Sequence, residues 1–209
     1  MDLQLVLSFI GTSMLLSLMP GPDNLFVLTQ SVTKGQQTGM AISVGLCLGV
    51  LIHTLAAATG LSLIIQHSAM AFSLVKYAGA AYLFYLAYGA LKEQQPAIEL
   101  QEGITEETAN IPYLIKKGFL MNVLNPKVSL FFIAFLPRFI TYNGMNVTIQ
   151  MIILGLLFML QALLVFSLIA VLSCRLTTHI YNPGFWKGAK WINVTVLSLL
   201  GLTLAFSKK

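Results

Sequence analysis

Charged residues are scarce in this sequence. They make up 9% of its 209 residues, whereas a soluble domain carries roughly 25%. Hydrophobic residues make up 57%, and the mean hydropathy is +0.83. Because so few charges cannot cover a water-exposed surface, the composition indicates an integral membrane protein with almost nothing outside the bilayer.

Cysteine is also nearly absent. Cys47 and Cys174 lie far apart, which provides neither a disulfide framework nor the spacing of a metal site. We interpret both as packing residues and expect no metal and no cofactor. The first apolar stretch has no basic flank and no small-residue cleavage site before or after it, so we expect it to stay in the mature protein.

Long apolar segments dominate what is present. A helix needs roughly 20 residues to cross the ~30 Å hydrocarbon layer, and six segments approach or exceed this length. They are Leu3–Val32, Met40–Ile65, Ala69–Leu91, Tyr113–Phe135, Val147–Leu172 and Trp191–Phe206. The sequence therefore predicts an all-α membrane protein of six transmembrane helices.

The basic residues lie beside these segments. One set of connections holds seven (Lys34, Lys92, Lys116, Lys117, Arg175, Lys187 and Lys190), and the opposite set holds four (Lys76, Arg138, Lys208 and Lys209). The positive-inside rule then puts both termini outside. The net charge of +5 is thus explained by topology, and we expect no nucleic-acid partner.

Two of the segments are interrupted by proline. Segment 1 contains SLMPGPDNLF at residues 17–26, and segment 4 contains NVLNPKVSLF at residues 122–131. Superposing Pro22 on Pro126 puts Asp23 against Lys127. Since each half then has three segments, a duplicated half must lie inverted in the membrane, and matched helix breaks in inverted repeats indicate the site of a secondary transporter. We predict repeats at residues 1–91 and 113–209, with a polar linker at 92–112.

Each break provides unpaired backbone groups. Pro20, Pro22 and Pro126 supply no N–H, so carbonyls near Leu16, Leu18 and Asn122 lose their helical partners. Free carbonyls suit an ammonium, and the N–H groups of the restarting helix suit a carboxylate. Both ends of a zwitterionic amino acid are thereby provided for. A packing kink is the plainer alternative.

Asp23 is the one acid within a predicted membrane segment. An intramembrane carboxylate costs roughly 2.5–3.5 kcal/mol on insertion scales, so it requires a role. It could hold a substrate ammonium, take up a proton, or form an ion pair with Lys127 that only locks the halves together.

Segment 2 carries a face of small residues. Ala41, Gly45, Gly49, His53 and Ala57 are spaced four apart, which permits close approach of a neighbouring helix and leaves room for a homodimer. His53 on this face points into the bundle, where it could hydrogen-bond a neighbour or relay protons.

These motifs resemble a known family. The resemblance begins in MPGPDNLFVLTQSVTKGQQTGMAISVGLCLGVLIH, which is similar to the opening of the LysE/RhtB family of bacterial amino-acid exporters. That family's first signature is PGPD or PGPN, then a basic-glycine loop and G-x-x-x-G-x-x-x-H. Its second signature, N-x-x-N-P-K before a phenylalanine-rich run, resembles FLMNVLNPKVSLFFIAFLPRFI.

The resemblance implies a small inner-membrane carrier, not an enzyme, that exports amino acids using the proton gradient. It implicates Pro20, Gly21, Pro22, Asp23, Asn125, Pro126 and Lys127. With the residues argued above, the candidates for substrate binding or proton coupling are Pro20, Gly21, Pro22, Asp23, Asn24, His53, Asn122, Asn125, Pro126 and Lys127. A single intramembrane acid favours a neutral substrate.

Two other functions remain open at this point. A divalent-cation exporter would need several converging ligands, and the segments offer Asp23 and His53. A membrane thiol–disulfide carrier would need two reactive cysteines beside the breaks, and neither Cys47 nor Cys174 is there.

Overall fold

The structure is a computed structural model of the chain, and it describes residues 2–61, 69–92, 110–142, 144–173, 175 and 183–206. These residues are almost entirely helical and contain no strand. The α-helices are α1 (Leu3–Leu18), α2 (Pro22–Lys34), α3 (Gln36–Ala56), α4 (Ala69–Lys92), α5 (Ile111–Val123), α6 (Pro126–Leu130), α7 (Val147–Val171) and α8 (Pro183–Ala205). The prediction of an all-α fold is confirmed for this part of the chain.

Both predicted helix breaks are present. The axes of α1 and α2 differ by 57°, and those of α5 and the helical stretch Pro126–Phe139 differ by 49°. Pro22 and Pro126 each occupy the first turn of the restarting helix, where the missing N–H is tolerated and the fixed φ suits the helix. The prolines therefore end one helix and begin the next.

The stretch after α6 is irregular. It continues as a π-helical segment, Phe131–Phe135, and then as a 3₁₀-helix, Leu136–Phe139. Phe131 packs against Phe9 of α1 and Phe158 of α7, with ring centroids 5.8 and 5.3 Å apart. These rings join the second broken helix to the first one, so the two breaks are held in a fixed relation.

Helix α3 lies at the centre of the bundle and packs most extensively against α5 and α7. Its glycine face meets α5: a Cβ on Gly45 would collide with the backbone of Ile115, and a Cβ on Gly49 would lie 2.7 Å from the Cβ of Asn122. Gly118 of α5 approaches the α3 backbone in the same way. The close approach predicted from the small-residue face is confirmed, and its partner is α5 of the same chain. The face is thus filled and does not offer the room for a homodimer that the sequence left open.

Helices α4 and α8 pack against each other beside this centre. Helix α8 begins eight residues before the predicted segment at Trp191, because Lys187 and Lys190 lower the local hydropathy without disfavouring helix. The prediction marked where the chain becomes apolar, which is later than where it becomes helical.

Three helices are long and apolar enough to cross a membrane, namely Gln36–Gly60, Val147–Val171 and Gly184–Ala205. The number rises to five if each bent pair counts as one span. Helix α4 coincides with the third predicted segment, has 24 residues and carries Lys76, but it is not among these five. The described residues thus support a multi-pass membrane protein with three to five candidate spans. Most of the predicted linker and Cys174 lie outside the described residues.

Candidate functional site

The two helix breaks lie against each other. The side-chain amide of Asn125, at the second break, donates a hydrogen bond of 2.6 Å to Asp23 Oδ2, at the first. Both residues are buried, although they are 102 positions apart in the sequence. The structure therefore brings together the residues that the sequence singled out in separate halves.

Asn125 performs two tasks at once. Its Oδ1 accepts from the Lys127 backbone N–H at 2.9 Å, which caps α6, while its Nδ2 is left to bind Asp23. A side-chain amide is suited to this bridge because it carries both an acceptor and a donor. Asp23 itself lies in the first turn of α2, where a negative charge is favoured by the helix dipole.

Lys127 binds the end of α1 rather than Asp23. Its ammonium donates to the Leu16 carbonyl at 2.9 Å and lies 3.5 Å from the Met19 carbonyl oxygen. Among the residues that the structure describes, Asp23 and Lys127 form no ion pair. The direct pair that the sequence left open as an alternative is thus absent from this conformation.

Proline explains why Leu16 is available. In a continuous helix its carbonyl would accept from residue 20, but residue 20 is proline and has no N–H. At the second break Pro126 removes the N–H that would bond the Asn122 carbonyl in a continuous helix, and the Asn125 N–H donates to that carbonyl instead, at 2.9 Å. His53 Nε2 lies 3.1 Å from that carbonyl oxygen, and the nitrogen must carry the proton because a carbonyl only accepts. Each of these two carbonyls thus contacts a basic side chain from the other half, as the described partner at Leu16 and in addition to a backbone donor at Asn122.

Two more carbonyls of the first break accept hydrogen bonds from side-chain amides. Asn24 donates to the Ser17 carbonyl at 2.9 Å, and Asn193 of α8 donates to the Pro20 carbonyl at 2.8 Å. Gln161 of α7 donates to the Ser17 hydroxyl at 2.9 Å. Buried backbone groups need partners, and these side chains supply them where the helix ladder is interrupted.

Sequence analysis missed Asn193 and Gln161. Each is a buried amide in an otherwise apolar helix, and a polar residue at such a position is a signal of function in membrane proteins. That signal was available in the sequence, but it does not say which helix break the side chain meets.

The remaining candidates form the turns themselves. Gly21 precedes α2 in an extended conformation and caps it without a side chain. A Cβ at this position would lie 3.7 Å from Lys127 Nζ, so the small residue keeps the space beside the ammonium open. Pro20, Pro22 and Pro126 shape the backbone and contribute no donor.

A small cavity lies between the breaks. Its lining combines polar and apolar side chains, and the residues are Leu16, Ser17, Asp23, Asn24, Asn122, Lys127, Val128, Phe158, Ala162 and Phe166. Its volume is about 20 Å³, which holds about one water molecule. The site is therefore closed around a space that must widen before it admits anything larger.

One acceptor beside the cavity has no partner. Asn122 is 2% exposed, and its Oδ1, which lies against Gly49 of α3, accepts no hydrogen bond from the described residues. Gln161 Oε1 and Asn193 Oδ1 are likewise buried without a donor among them. A buried acceptor left unsatisfied costs about 1–3 kcal/mol, so a donor that reached one of these atoms would stabilise the protein.

Other chemistries find less support in the geometry. Within the described ranges, no three His, Cys, Asp or Glu side chains are grouped so that they could hold a metal ion. The Cys47 thiol is buried in α3, where it contributes to the hydrophobic core.

The chain was compared with known proteins. The profile of the LysE type translocator family matches residues 14–208. The chain belongs to the LysE type translocator family. The match confirms the family predicted from the two proline motifs. As a family member the chain is a membrane transporter and not an enzyme.

Several relatives match along nearly their whole length. The homoserine/homoserine lactone efflux protein of Salmonella typhimurium is 29% identical over 201 residues, covering 96% of each chain. The uncharacterized membrane protein YrhP of Bacillus subtilis is 29% identical over 208 residues, covering 97% of this chain and 99% of its own. An uncharacterized membrane protein of Vibrio cholerae is 26% identical over 209 residues and the whole of both chains. No solved structure matches the chain.

Proposed function

We propose that this translocator is a secondary-active exporter of a small neutral amino acid, coupled to proton entry. The observation that carries the proposal is the joining of the two helix breaks beside a cavity lined by both polar and apolar side chains. Small-molecule sites combine an apolar lining with a few convergent polar groups in this way.

An amino acid has groups that suit both the polar and the apolar side chains of this lining. Its charged ends would meet Asp23, Asn122 and Lys127, and its side chain would lie against Val128, Phe158 and Ala162. Among the described residues Asp23 is the one carboxylate lining the cavity, so a substrate with a second positive charge would lack a partner for it there. The efflux of homoserine and homoserine lactone named for the Salmonella relative supports a substrate of this size and class.

Asp23 is the proposed proton carrier. A carboxylate at membrane depth is costly to keep charged, and among the described residues its side chain accepts from the neutral amide of Asn125. Protonation of Asp23 would remove the charge that strengthens that bond and so weaken the contact between the two breaks. Proton uptake would thereby be linked to opening of the cavity.

The proposal includes a topology. Helices α1–α2, α3 and α4 form one repeat, and α5–α6, α7 and α8 form the inverted second repeat, with six spans of the bacterial inner membrane and both termini outside. The matched positions of the two broken helices support this arrangement.

Transport into proteoliposomes tests the function. We expect an imposed proton gradient to drive accumulation of a radiolabelled neutral amino acid, with homoserine, threonine and leucine as the first substrates. In Asp23→Asn this gradient-driven flux should fall by on the order of tenfold or more, a change of about 1.4 kcal/mol, because the neutral amide cannot carry the proton.

Asp2→Asn is the matched control. Asp2 is an exposed acid that caps α1 by accepting from the Gln4 N–H, and an asparagine keeps that cap, so its flux should match that of the wild type. Undiminished proton-driven flux in Asp23→Asn would refute the coupling role. Movement of a divalent cation without any amino acid would refute the substrate class and favour a cation exporter.

A further inference from the structure

The contacts of Lys127 show which chemical group the first helix break binds. Its ammonium group is bound by backbone carbonyls, at 2.9 Å from the Leu16 oxygen and 3.5 Å from the Met19 oxygen. The end of α1 is therefore a site that holds a primary ammonium ion. In this conformation the ion belongs to the protein itself.

The chemistry of this site does not depend on lysine. The Leu16 carbonyl lacks its helical donor because residue 20 is proline, and the carbonyl groups at the end of a 16-residue helix carry the negative end of its dipole. Any primary ammonium of suitable size would meet the same acceptors. Gly21 keeps the neighbouring space free of a side chain.

The ammonium site opens onto the cavity. Leu16 and Lys127 both line it, together with Asn122. A substrate ammonium, which has three N–H groups, would therefore reach the Leu16 carbonyl from the cavity.

The two helix starts, by contrast, do not offer free positions for a carboxylate. The first turn of α2 already carries Asp23, and the start of α6 is capped by Asn125. Of the described residues that line the cavity, Lys127 carries a cationic group. A substrate carboxylate would therefore find its partner in Lys127, once that side chain had left the carbonyls.

We propose that Lys127 is a tethered stand-in for the substrate ammonium. The carbonyls of Leu16 and Met19 form the amino-group subsite, Lys127 fills it when the protein is empty, and the substrate ammonium replaces Lys127, which then pairs with the substrate carboxylate. The identity of the substrate as an amino acid rests on the proposed function. The existence of an ammonium subsite rests only on the contacts of Lys127.

Removing the tethered ammonium tests this exchange. In Lys127→Met the ammonium subsite is vacant and the cation that would pair with the substrate carboxylate is gone. The preference between an amino acid and the corresponding amine should therefore reverse. The wild type should bind an amino acid more tightly than the amine that lacks its carboxylate, whereas Lys127→Met should bind the amine more tightly. Binding is measured on purified protein in detergent as the ligand-dependent shift in Tm.

Methylammonium chloride is the simplest probe of the subsite. It should raise the Tm of Lys127→Met in a saturable way, while tetramethylammonium chloride, which has no N–H, and sodium chloride at equal ionic strength should not. Lys117→Met is the matched control: Lys117 is exposed on α5, with its ammonium 4.5 Å from the centre of the Phe26 ring. Its ligand preference should stay that of the wild type.

The outcomes separate the two proposals. If Lys127→Met is folded but shows no saturable response to methylammonium, or keeps the ligand preference of the wild type, the exchange is wrong. If the variant folds only when methylammonium is present during purification, the subsite is supported, and failure of that rescue counts against it. A wild type that moves no amino acid would refute the proposed function and leave the methylammonium result to be judged separately.

Discussion

At the scale of single residues, the site is built by side chains that donate to backbone carbonyls at the two helix breaks. Lys127, His53, Asn24 and Asn193 each donate to a main-chain carbonyl at a break. In lipid an unsatisfied backbone group costs several kcal/mol. The polar residues are therefore needed for stability of the broken helices as well as for any ligand, and variants at these positions must be judged on both.

At Asn125 the contribution to stability and the contribution to transport are most easily separated. We expect Asn125→Ala to lower the free energy of unfolding by about 1 kcal/mol through loss of the α6 cap, and by about 1–3 kcal/mol more because buried Asp23 loses its donor. Proton-driven transport should also fall. Thermal unfolding in detergent and flux in proteoliposomes measure the two effects.

Asn146→Ala provides the comparison. Asn146 caps α7 by accepting from the Thr148 N–H at 2.8 Å and the Ile149 N–H at 3.4 Å, but it is exposed and its side chain bonds only this cap within the described residues. Its loss should cost about 1 kcal/mol and leave transport unchanged. Equal losses of stability and of transport in the two variants would show that Asn125 acts only as a cap.

At the scale of helices, the contact between α3 and α5 sets the position of the second break. Gly45, Gly49 and Gly118 allow the two backbones to approach closely, as small residues do in membrane bundles. This approach places His53 within reach of the Asn122 carbonyl. The glycine face thus positions a site residue in addition to packing the bundle.

Gly49→Ala should disturb both the packing of α3 on α5 and the position of His53. The added Cβ would lie 2.7 Å from Asn122 Cβ and 3.0 Å from the Phe119 carbonyl oxygen, so the helices must separate at a cost of roughly 1–3 kcal/mol. We expect a lower Tm in detergent and slower transport. Gly11→Ala in α1 is the control, because nothing lies within 4 Å of its Cβ, and it should stabilise the helix by about 0.5–1 kcal/mol. If Gly49→Ala unfolds at the wild-type temperature, the close contact is not rigid.

At the scale of the whole molecule, the halves are joined by contacts that cross between them. Asn125 to Asp23, Lys127 to Leu16 and His53 to Asn122 each link the first half to the second. Because the cavity between the halves holds about one water molecule, substrate entry requires these contacts to rearrange. The proposed inverted topology puts the two break-bearing helices in opposite senses across the membrane, as alternating access requires.

Cysteine labelling in whole cells checks this topology. In a background with Cys47 and Cys174 replaced by serine, Met145→Cys, before α7, should react with an impermeant maleimide added outside. Gln37→Cys, at the start of α3, should react only after the membrane is permeabilised. Both native side chains are exposed, so reactivity reports the side of the membrane. The reverse pattern would invert the proposed orientation.

The sequence predicted the breaks and the residues at them, because proline has fixed consequences for a helix and a charge in an apolar run is conspicuous. It did not predict that Lys127 binds Leu16 while Asp23 binds Asn125. That choice depends on how each helix is rotated about its axis, which a hydropathy pattern does not determine for helices apolar on most sides. Asn193 and Gln161 were missed for the same reason.

The crossing contacts also have a consequence for biosynthesis. When α1 and α2 leave the ribosome, the carbonyls of Leu16 and Pro20 have no donors, since Lys127 and Asn193 have not yet been translated. The first broken helix must therefore stay in the insertion machinery, or bind water through these carbonyls, until the later helices are inserted. Membrane insertion of this chain cannot proceed as a series of independently stable spans, and its early helices are the ones most exposed to quality-control proteases when translation pauses.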